Sequence, residues 1–165
     1  MKNFFEPGIT SLLLRNLFFT VLQPGLVVGL FPFFILKRES PVLFNGHFGL
    51  VQFLGTFLFL VGAAVLFDSI IRFAFQGRGT LSPADPTKKL VVTGLYKYSR
   101  NPMYWGIMLI LMGEALFFES GGLWIYLLVV FVVFTLFIML VEEPRLRKDF
   151  GNEYEEYRKR VRRWI

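Results

Sequence analysis

The sequence predicts an all-α integral membrane protein in which about four transmembrane helices form a helical bundle. Hydrophobic residues make up 55% of the 165-residue chain, and the mean hydropathy of +0.55 exceeds what a soluble domain of this size carries. Phenylalanine contributes 21 residues, which suits side chains that face lipid and neighbouring helices. Several apolar runs reach the roughly 20 residues that a helix needs to cross a bilayer. We therefore predict one membrane domain over residues 1–165.

Charge and cysteine content exclude several classes of protein. The net charge of +6 comes from residues that flank apolar runs, so the expected partner is a membrane surface with its lipids, and we predict no binding to nucleic acid. The chain has no cysteine, which excludes disulfides, a thiolate nucleophile and a cysteine-based metal site. We predict no metal centre.

The first predicted span covers residues 16–36 and follows a polar segment that lacks the pattern of a signal peptide. Gln23, Pro24 and Gly25 lie in its middle and predict a kink of the kind that membrane helices tolerate. A polar connection starting at Lys37 ends the span.

The second predicted span covers residues 48–67, and Asp68 and Arg72 follow it four positions apart. This spacing places both on one helix face, which favours an ion pair at the membrane boundary over a cofactor contact. His47 has no nearby carboxylate or second histidine, so we expect a surface residue and not a ligand or base. Residues 77–90 are rich in glycine and proline and predict a cytoplasmic loop.

The third and fourth predicted spans form a hairpin. The third covers residues 102–118 and begins with Pro102, a residue suited to the first position of a helix. A short turn at residues 119–122 leads into the fourth span, residues 123–141. Glu114 lies inside the third span, where a charge is costly, so we expect it to face the bundle or the outer boundary.

The distribution of Lys and Arg predicts the topology. The stretch from Arg72 to Arg100 carries six of these residues and the tail after Val141 carries eight, whereas the turn between the third and fourth spans carries none. Positive residues favour the inner side of a membrane, so both termini and the central loop are predicted to be cytoplasmic, with Lys37 and Arg38 as the outward exceptions. The membrane would be the inner membrane of a prokaryote or the endoplasmic reticulum of a eukaryote.

The first candidate for a functional site is the pair of carboxylates Glu142 and Glu143, where the chain leaves the membrane. Adjacent carboxylates beside lipid repel each other, so the fold must offer them a cation or strong hydrogen-bond donors. Arg145 and Arg147 are the nearest candidates in the sequence.

Residues 152–163 then read as an amphipathic helix at the cytoplasmic surface, with Asn152 as its cap. Its apolar face is predicted to contain Tyr154, Tyr157 and Val161.

Two segments together resemble a known family. RNPMYWG at residues 100–106 and EEPRLRKDFGNEYEEYRKRV at residues 142–161 are similar to the paired signature of the isoprenylcysteine carboxyl methyltransferase and phospholipid methyltransferase group. The similarity covers residues 77–164, and the order of the two elements is more specific than either element alone. Asn101 stands where many members have histidine, so acid–base chemistry by histidine is excluded there.

The resemblance implies an integral membrane methyltransferase that uses S-adenosyl-L-methionine as its cofactor and methylates a lipophilic acceptor from the bilayer. The acceptor is a prenylated cysteine carboxylate, a phospholipid amine, or another hydrophobic thiol, amine or acid. The cofactor would bind within residues 77–165 at the cytoplasmic face. A non-catalytic lipid-binding or assembly protein on the same scaffold is the alternative.

The resemblance also places the candidate site residues. The expected catalytic residues are Arg100, Asn101, Glu143 and Arg163, with Arg163 or its neighbour Arg162 holding an anionic acceptor or contacting lipid headgroups. The two glutamates would bind the ammonium or ribose of the cofactor, and Arg100 would bind its carboxylate. The tyrosines would line the adenosine. The expected cofactor-binding residues are Tyr96, Arg100, Asn101, Pro102, Tyr104, Gly106, Glu142, Glu143, Tyr154 and Tyr157.

Overall fold

The computed structural model describes residues 24–39, 48–77 and 89–164. Within these ranges the chain is helical, and no strand occurs apart from an isolated bridge between Ser99 and Arg162, which confirms the all-α prediction there. The α-helices in these ranges are α1 (Phe31–Glu39), α2 (Leu50–Gly77), α3 (Pro102–Phe117), α4 (Gly121–Phe137), α5 (Glu143–Phe150) and α6 (Asn152–Arg160). π-Helical turns at Leu26–Leu30 and Ile138–Glu142 precede α1 and α5, and a 3₁₀ turn at Gly94–Lys97 precedes α3.

The irregular turn before α1 lies beside the predicted kink. The π turn Leu26–Leu30 directly follows Pro24 and Gly25. Proline lacks a backbone N–H, and interruptions of the helical hydrogen-bond ladder are where bends and wide turns form. The earlier part of the first predicted span, together with His47 and residues 78–88 of the predicted loop, lies outside the described residues.

Helix α2 continues ten residues beyond the predicted end of its span at Phe67. The helix continues through the polar residues that follow, and Arg72 Nε lies 2.8 Å from Asp68 Oδ2, one helical turn away. The predicted ion pair is therefore confirmed.

Glycines let the backbones of α2 and α3 approach closely. A Cβ built on Gly113 would lie 2.6 Å from the carbonyl oxygen of Gly55, and one built on Gly62 would lie 2.8 Å from the carbonyl oxygen of Gly106. No side chain fits at such distances. Because lipid tails are as apolar as leucine, close packing of small residues is a main source of association between membrane helices.

Helices α3 and α4 form the predicted hairpin, although α4 begins at Gly121, two residues before the predicted start. The hydroxyl of Ser120 accepts a hydrogen bond from the Leu123 N–H at 3.0 Å and caps the helix. This capping bond, which a hydropathy pattern does not reveal, explains the earlier start.

Polar contacts mark one end of the bundle, called the far end below. There the Glu39 carboxylate accepts hydrogen bonds from the Gly122 N–H at 2.7 Å and from the Ser120 hydroxyl. Nearby, Gln52 Nε2 donates to Glu119 at 2.5 Å. The far end thus joins the end of α1, the start of α2 and the α3–α4 turn.

Among the described residues, two helical stretches are long and apolar enough to cross a membrane, Leu50–Phe73 and Gly121–Phe150. Helix α3 is apolar but has 16 residues, which span about 24 Å against a hydrocarbon core of about 30 Å. The first predicted span, residues 16–36, is described only from residue 24. The first and third predicted spans therefore stay predictions.

The C-terminal helix is shorter than predicted. It covers Asn152–Arg160, and Val161 already has extended backbone. Asn152 is the first helical residue and not the cap, because Gly151, with a φ of 51°, occupies the preceding position and turns the chain between α5 and α6. Tyr154 and Tyr157 are buried, as predicted.

Candidate active site

The candidate site lies at the end of the bundle opposite the far end, called the site end below. The hairpin returns the chain from α4 to the start of α3, so the Tyr104 hydroxyl donates to Glu142 Oε2 at 2.9 Å. Residues 89–101, α5, α6 and the tail after α6 pack around this junction. The proximity that the predicted hairpin required is therefore confirmed.

Glu143 is held between two arginines. Arg163 contacts it in a bidentate manner, with Nε 2.7 Å from Oε1 and Nη2 3.0 Å from Oε2. Arg100 Nη1 lies 3.1 Å from Oε1, and the side chains of Arg100 and Glu143 are only 9% and 8% exposed. Such paired, hydrogen-bonded charges are strong and geometrically specific.

The neighbouring arginines in the sequence are engaged elsewhere. Arg145 lies 3.6 Å from Asp149, and Arg147 lies 2.9 Å from Glu155. The expectation that they would neutralise the adjacent glutamates is wrong for Glu143. The partners are distant in the sequence because the fold, and not proximity along α5, brings Arg163 back to the carboxylate.

Arg100 connects Glu143 to α6. Its Nη1 also donates to the Tyr154 hydroxyl at 3.0 Å. Its buried Nε has no hydrogen-bond partner among the described residues. A buried donor left without a partner is costly, which makes this N–H a candidate contact for a bound ligand.

The tail after α6 lies alongside the segment that precedes α3. Ser99 and Arg162 form a parallel bridge, and the Arg100 N–H donates to the Arg162 carbonyl at 2.9 Å. The carbonyl of Arg163 accepts from the Ser99 hydroxyl at 3.1 Å and from Asn101 Nδ2 at 3.0 Å. Backbone bonds thus position the guanidinium that holds Glu143.

Trp164 anchors the end of this tail. Its ring packs edge-on against Trp105 of α3, with centroids 5.8 Å apart, and lies 5.4 Å from the ring of Phe131 of α4. Aromatic contacts of this kind add to the stabilisation from burial alone. The tail is therefore tied to both helices of the hairpin.

Glu142 faces away from the arginine pair. Consecutive helical residues point in directions about 100° apart, so Glu142 contacts Tyr104 while Glu143 contacts the arginines. The Tyr104 ring is in turn packed against Phe134 at 4.7 Å between centroids. The two adjacent carboxylates consequently have different partners.

A small cavity of about 50 Å³ lies between these groups. Aromatic, charged and apolar side chains from five parts of the chain surround it. The lining residues are Phe73, Leu90, Val91, Tyr96, Arg100, Asn101, Ile138, Glu142, Glu143, Leu146, Tyr154 and Tyr157.

The phenols at the cavity are held neutral. Burial raises the pKa of Tyr96, and the nearby Glu142 raises it further. Burial also raises the pKa of Tyr157, whose hydroxyl donates to the Tyr96 carbonyl at 2.7 Å. Both side chains therefore offer polar O–H groups and aromatic surface at neutral pH without adding charge.

Gly94 supports the site from the side of α2. Its φ is 59°, a conformation that side chains rarely adopt, and a Cβ there would lie 2.1 Å from Arg72 Nε. Arg72 thus crosses the backbone turn that leads to Tyr96. The sequence predicted the Asp68–Arg72 pair, but it held no signal that Arg72 contacts Gly94.

The structure brings together eight of the ten expected cofactor-binding residues. Pro102 is the first residue of α3 and is buried, but it does not line the cavity. Gly106 lies in the contact with α2, where an added Cβ would be 2.8 Å from Leu66. Tyr104 reaches the site through Glu142, whereas the other seven residues line the cavity directly.

Comparison with known proteins assigns the chain to a family. The phospholipid methyltransferase family model matches residues 50–153, which is more than half of the chain. This chain belongs to the phospholipid methyltransferase family. The match includes α2 to α5 and the two glutamates, and it confirms the resemblance seen in the sequence. As a member of the phospholipid methyltransferase family, the chain is a membrane methyltransferase that acts on lipids.

The chain is also similar to a curated bacterial protein. An uncharacterized protein of Haemophilus influenzae (strain ATCC 51907 / DSM 11121 / KW20 / Rd) is 33% identical over 63 residues, which is 38% of this chain and the whole of that protein. No solved structure matches the chain significantly.

Asn101 is expected to stabilise the tail. Replacing it by alanine removes the hydrogen bond to the Arg163 carbonyl, so we expect the free energy of unfolding to fall by about 1–2 kcal/mol. Thermal unfolding and proteolysis of the tail measure this effect. Histidine at position 101 keeps an N–H donor and is expected to restore part of the loss. An equal effect from Asn152→Ala, an exposed position on α6, would remove the special role of Asn101.

Proposed function

We propose that this protein transfers a methyl group from S-adenosyl-L-methionine to a lipophilic acceptor at the cytoplasmic face of a membrane. The observation that carries the proposal is the convergence of Arg100, Glu142 and three tyrosines on one cavity at the site end. Family membership supports methyl transfer to lipids. The use of S-adenosyl-L-methionine as methyl donor and the lipophilic nature of the acceptor are what we propose beyond family membership.

The donor set of the cavity fits the cofactor in its chemistry. S-adenosyl-L-methionine carries an ammonium, a carboxylate, ribose hydroxyls and an adenine ring, and it supplies an electrophilic methyl group on a sulfonium. Glu142 offers an acceptor for the ammonium or ribose, and Tyr96 and Tyr157 offer aromatic surface. The Nε of Arg100, which has no hydrogen-bond partner in the described part of the chain, offers a buried donor for the carboxylate.

We assign different roles to the two glutamates. Both oxygens of Glu143 are already bonded to arginines, so it acts as a positioning residue that holds Arg100 and Arg163 in place. Among the described residues, Glu142 has one side-chain hydrogen bond, from Tyr104, and its carboxylate retains acceptor capacity. Glu142 is therefore our candidate for direct contact with the cofactor.

Binding requires the cavity to widen. Its volume of about 50 Å³ is far below the roughly 300 Å³ at which pockets for whole organic ligands begin. The tail from Arg162 to Trp164 is held by hydrogen bonds and ring contacts, which can open without unfolding a helix. Closure of the same contacts over bound ligands would exclude water.

The acceptor is proposed to arrive from the bilayer. Large apolar side chains on α2 and α4 are exposed, which suits contact with lipid. Methyl transfer is an in-line displacement, so the enzyme's main contributions are alignment and exclusion of water. A carboxylate acceptor needs no base, and Arg163, whose guanidinium contacts the cavity residue Glu143, is the cation that we propose orients it.

The proposed topology has four spans with both termini in the cytoplasm. The site end carries Arg and Lys residues on α5, α6 and the tail. The far end carries Glu39 and Glu119, with Lys37 and Arg38 as the exceptions to the charge bias. Positive residues favour the cytoplasmic side, which places the site where a soluble cofactor is available.

Transfer of isotope from the cofactor to lipid tests the proposed function. The purified protein is incubated with methyl-labelled S-adenosyl-L-methionine and lipid extracts, and the labelled lipids are then treated with base. Methyl esters release volatile methanol, whereas N-methyl groups stay bound to the lipid. Failure of every lipid fraction to take up label above the level seen without protein contradicts the proposal.

Glu142→Gln is expected to weaken cofactor binding without unfolding the protein. The amide keeps the size of the side chain but removes a charge that suits the cofactor ammonium, so we expect affinity to fall about tenfold to a hundredfold. Calorimetric titration measures it. Glu153→Gln, an exposed acid on α6, serves as the control and is expected to leave affinity unchanged. Equal affinities of Glu142→Gln and the unmodified protein would remove Glu142 from the pocket.

A non-catalytic lipid-binding protein is the second candidate. The small cavity and the saturated Glu143 carboxylate favour it, because both describe a packed and closed site. It predicts no heat of binding when S-adenosyl-L-methionine is added to the purified protein. The calorimetric experiment therefore separates the two functions.

A further inference from the structure

Polar residues on the last turns of α2 contact the turn that carries Tyr96. Asp68, Arg72 and Gln76 recur at intervals of four residues, so they lie along one face of the helix. We call these three residues the α2 stripe. They are helical because α2 continues to Gly77, well beyond the end of its predicted span. The stripe therefore belongs to the part of α2 that hydropathy alone did not predict.

Two residues of the α2 stripe touch the turn directly. The Arg72 guanidinium lies against Gly94, where a Cβ would be 2.1 Å from Nε and 2.4 Å from Cζ. One residue earlier, the Thr93 hydroxyl donates a hydrogen bond to Gln76 Oε1. Residues 89–93 are neither helix nor strand. Side-chain contacts, and not regular secondary structure, consequently hold the start of the turn.

Asp68 fixes the guanidinium that lies under the turn. Arg72 Nε donates to both carboxylate oxygens of Asp68, at 3.0 Å and 2.8 Å, and such charge-assisted bonds restrict a long side chain to one geometry. Burial raises the pKa of Tyr96, and the negative charges of Glu142 and Asp68 add to this rise. The Asp68 carboxylate thus lies close enough to influence the phenol at the cavity.

Tyr96 is supported from two sides. On the side of α6, its carbonyl accepts a hydrogen bond from the Tyr157 hydroxyl at 2.7 Å. On the side of α2, Arg72 lies against Gly94, the first residue of the turn Gly94–Lys97. Helix α2 is itself packed closely on α3 through glycines, so it provides a fixed reference for the turn.

We infer that Arg72 is a positioning residue, which holds the turn Gly94–Lys97 and thereby fixes Tyr96 at the cavity without lining the cavity itself. The consequence for ligand binding rests on the proposed function, in which Tyr96 lines the adenosine of the cofactor. A side chain that is ordered before binding does not have to be ordered by the ligand, so the α2 stripe raises affinity through preorganisation.

Fluorine NMR of the protein without cofactor tests the positioning directly. A 3-fluorotyrosine is placed at position 96 alone, and the purified protein is measured in detergent. We expect one narrow resonance for the unmodified protein, because Tyr96 is held in one environment. Arg72→Gln removes the guanidinium from Gly94 and is expected to broaden or split this resonance. Arg72→Lys keeps a positive charge beside Asp68 and is expected to recover part of the narrow signal.

Arg160→Gln is the matched control for this experiment. Arg160 pairs with Glu156 at the same spacing on α6, and 75% of its side chain is exposed, so we expect an unchanged Tyr96 resonance. The melting temperature of Arg72→Gln is expected to stay close to that of the unmodified protein, because its ion pair is 34% and 37% exposed. An equally narrow resonance in Arg72→Gln, or the same broadening in Arg160→Gln, overturns the inference.

Calorimetric titration with S-adenosyl-L-methionine measures the consequence for binding. We expect the affinity of Arg72→Gln to fall about threefold to tenfold, which is the cost of ordering one side chain on binding. Unchanged affinity would overturn the role of Arg72 in preorganising the cavity. Absence of binding by the unmodified protein contradicts the proposed function instead, and the fluorine resonance then still decides whether Arg72 positions Tyr96.

Discussion

Replacing Glu143 by alanine is expected to lower the free energy of unfolding by about 3–5 kcal/mol and to abolish methyl transfer. The substitution leaves the buried Arg100 without its counter-charge and releases Arg163 from its bidentate contact. The tail then loses a link to α5, and the proposed cofactor site loses its orientation. Chemical or thermal unfolding in detergent measures the first effect, and labelled methyl transfer measures the second.

An exposed ion pair provides the control for this prediction. Glu155 pairs with Arg147, and both side chains are more than 40% exposed, so Glu155→Ala is expected to cost no more than about 1 kcal/mol. The comparison distinguishes the loss of the buried Glu143, which contacts two arginines, from the loss of an exposed ion pair. A Glu143→Ala protein as stable as Glu155→Ala would show that the arginines do not depend on Glu143.

Replacing Gly113 by leucine is expected to disrupt the packing of α2 on α3. Even a Cβ at this position would lie 2.6 Å from the Gly55 carbonyl oxygen and from the Phe59 backbone nitrogen, and backbone cannot yield as a flexible side chain does. Overpacking of a tight interface costs about 1–3 kcal/mol and occasionally more, and we expect the upper end here. The melting temperature and the elution volume in detergent measure the outcome.

Gly29 is the matched control on α1's side of the bundle. Apart from its own helical turn, no atom of the described residues lies within 4 Å of a Cβ built there, so Gly29→Leu is expected to leave the melting temperature nearly unchanged. If Gly113→Leu is as stable as Gly29→Leu, the close approach of the two helices is not what holds them together.

Hydropathy and proline positions predicted much of the fold. The α3–α4 hairpin follows from two apolar runs separated by a short turn, and it requires Tyr104 and Glu142 to meet, as they do at 2.9 Å. The start of α3 at Pro102 follows from the fixed backbone angle and missing N–H of proline. These features depend on local chemistry and chain length, which a sequence displays directly.

The partners of Glu143 could not be predicted in the same way. The helix periodicity of residues 152–163 suggested that Arg163 would lie on α6, but the chain becomes extended at Val161. Instead of continuing the helix, the carbonyls of Arg162 and Arg163 accept hydrogen bonds from Arg100 and Ser99. These partners are more than 60 residues away in the sequence. A local pattern contains no information on such a contact.

Asn101 illustrates how the structure changes an interpretation. The sequence marked it as a departure from the histidine of many relatives, which removed acid–base chemistry but suggested no other task. In the fold its amide donates to the carbonyl of Arg163 and so helps to hold the tail over Glu143. Hydrogen-bond donation, which asparagine shares with histidine, is the property that this position uses.

Photochemical labelling tests the central claim, that the site end binds S-adenosyl-L-methionine, most directly. The purified protein is irradiated with the labelled cofactor and digested, and the labelled peptides are identified by mass spectrometry. We predict label in peptides that contain residues 90–104 or 138–157, with loss of label in Glu142→Gln and in an excess of unlabelled cofactor. Label confined to other peptides, or label that excess cofactor does not displace, would contradict the account.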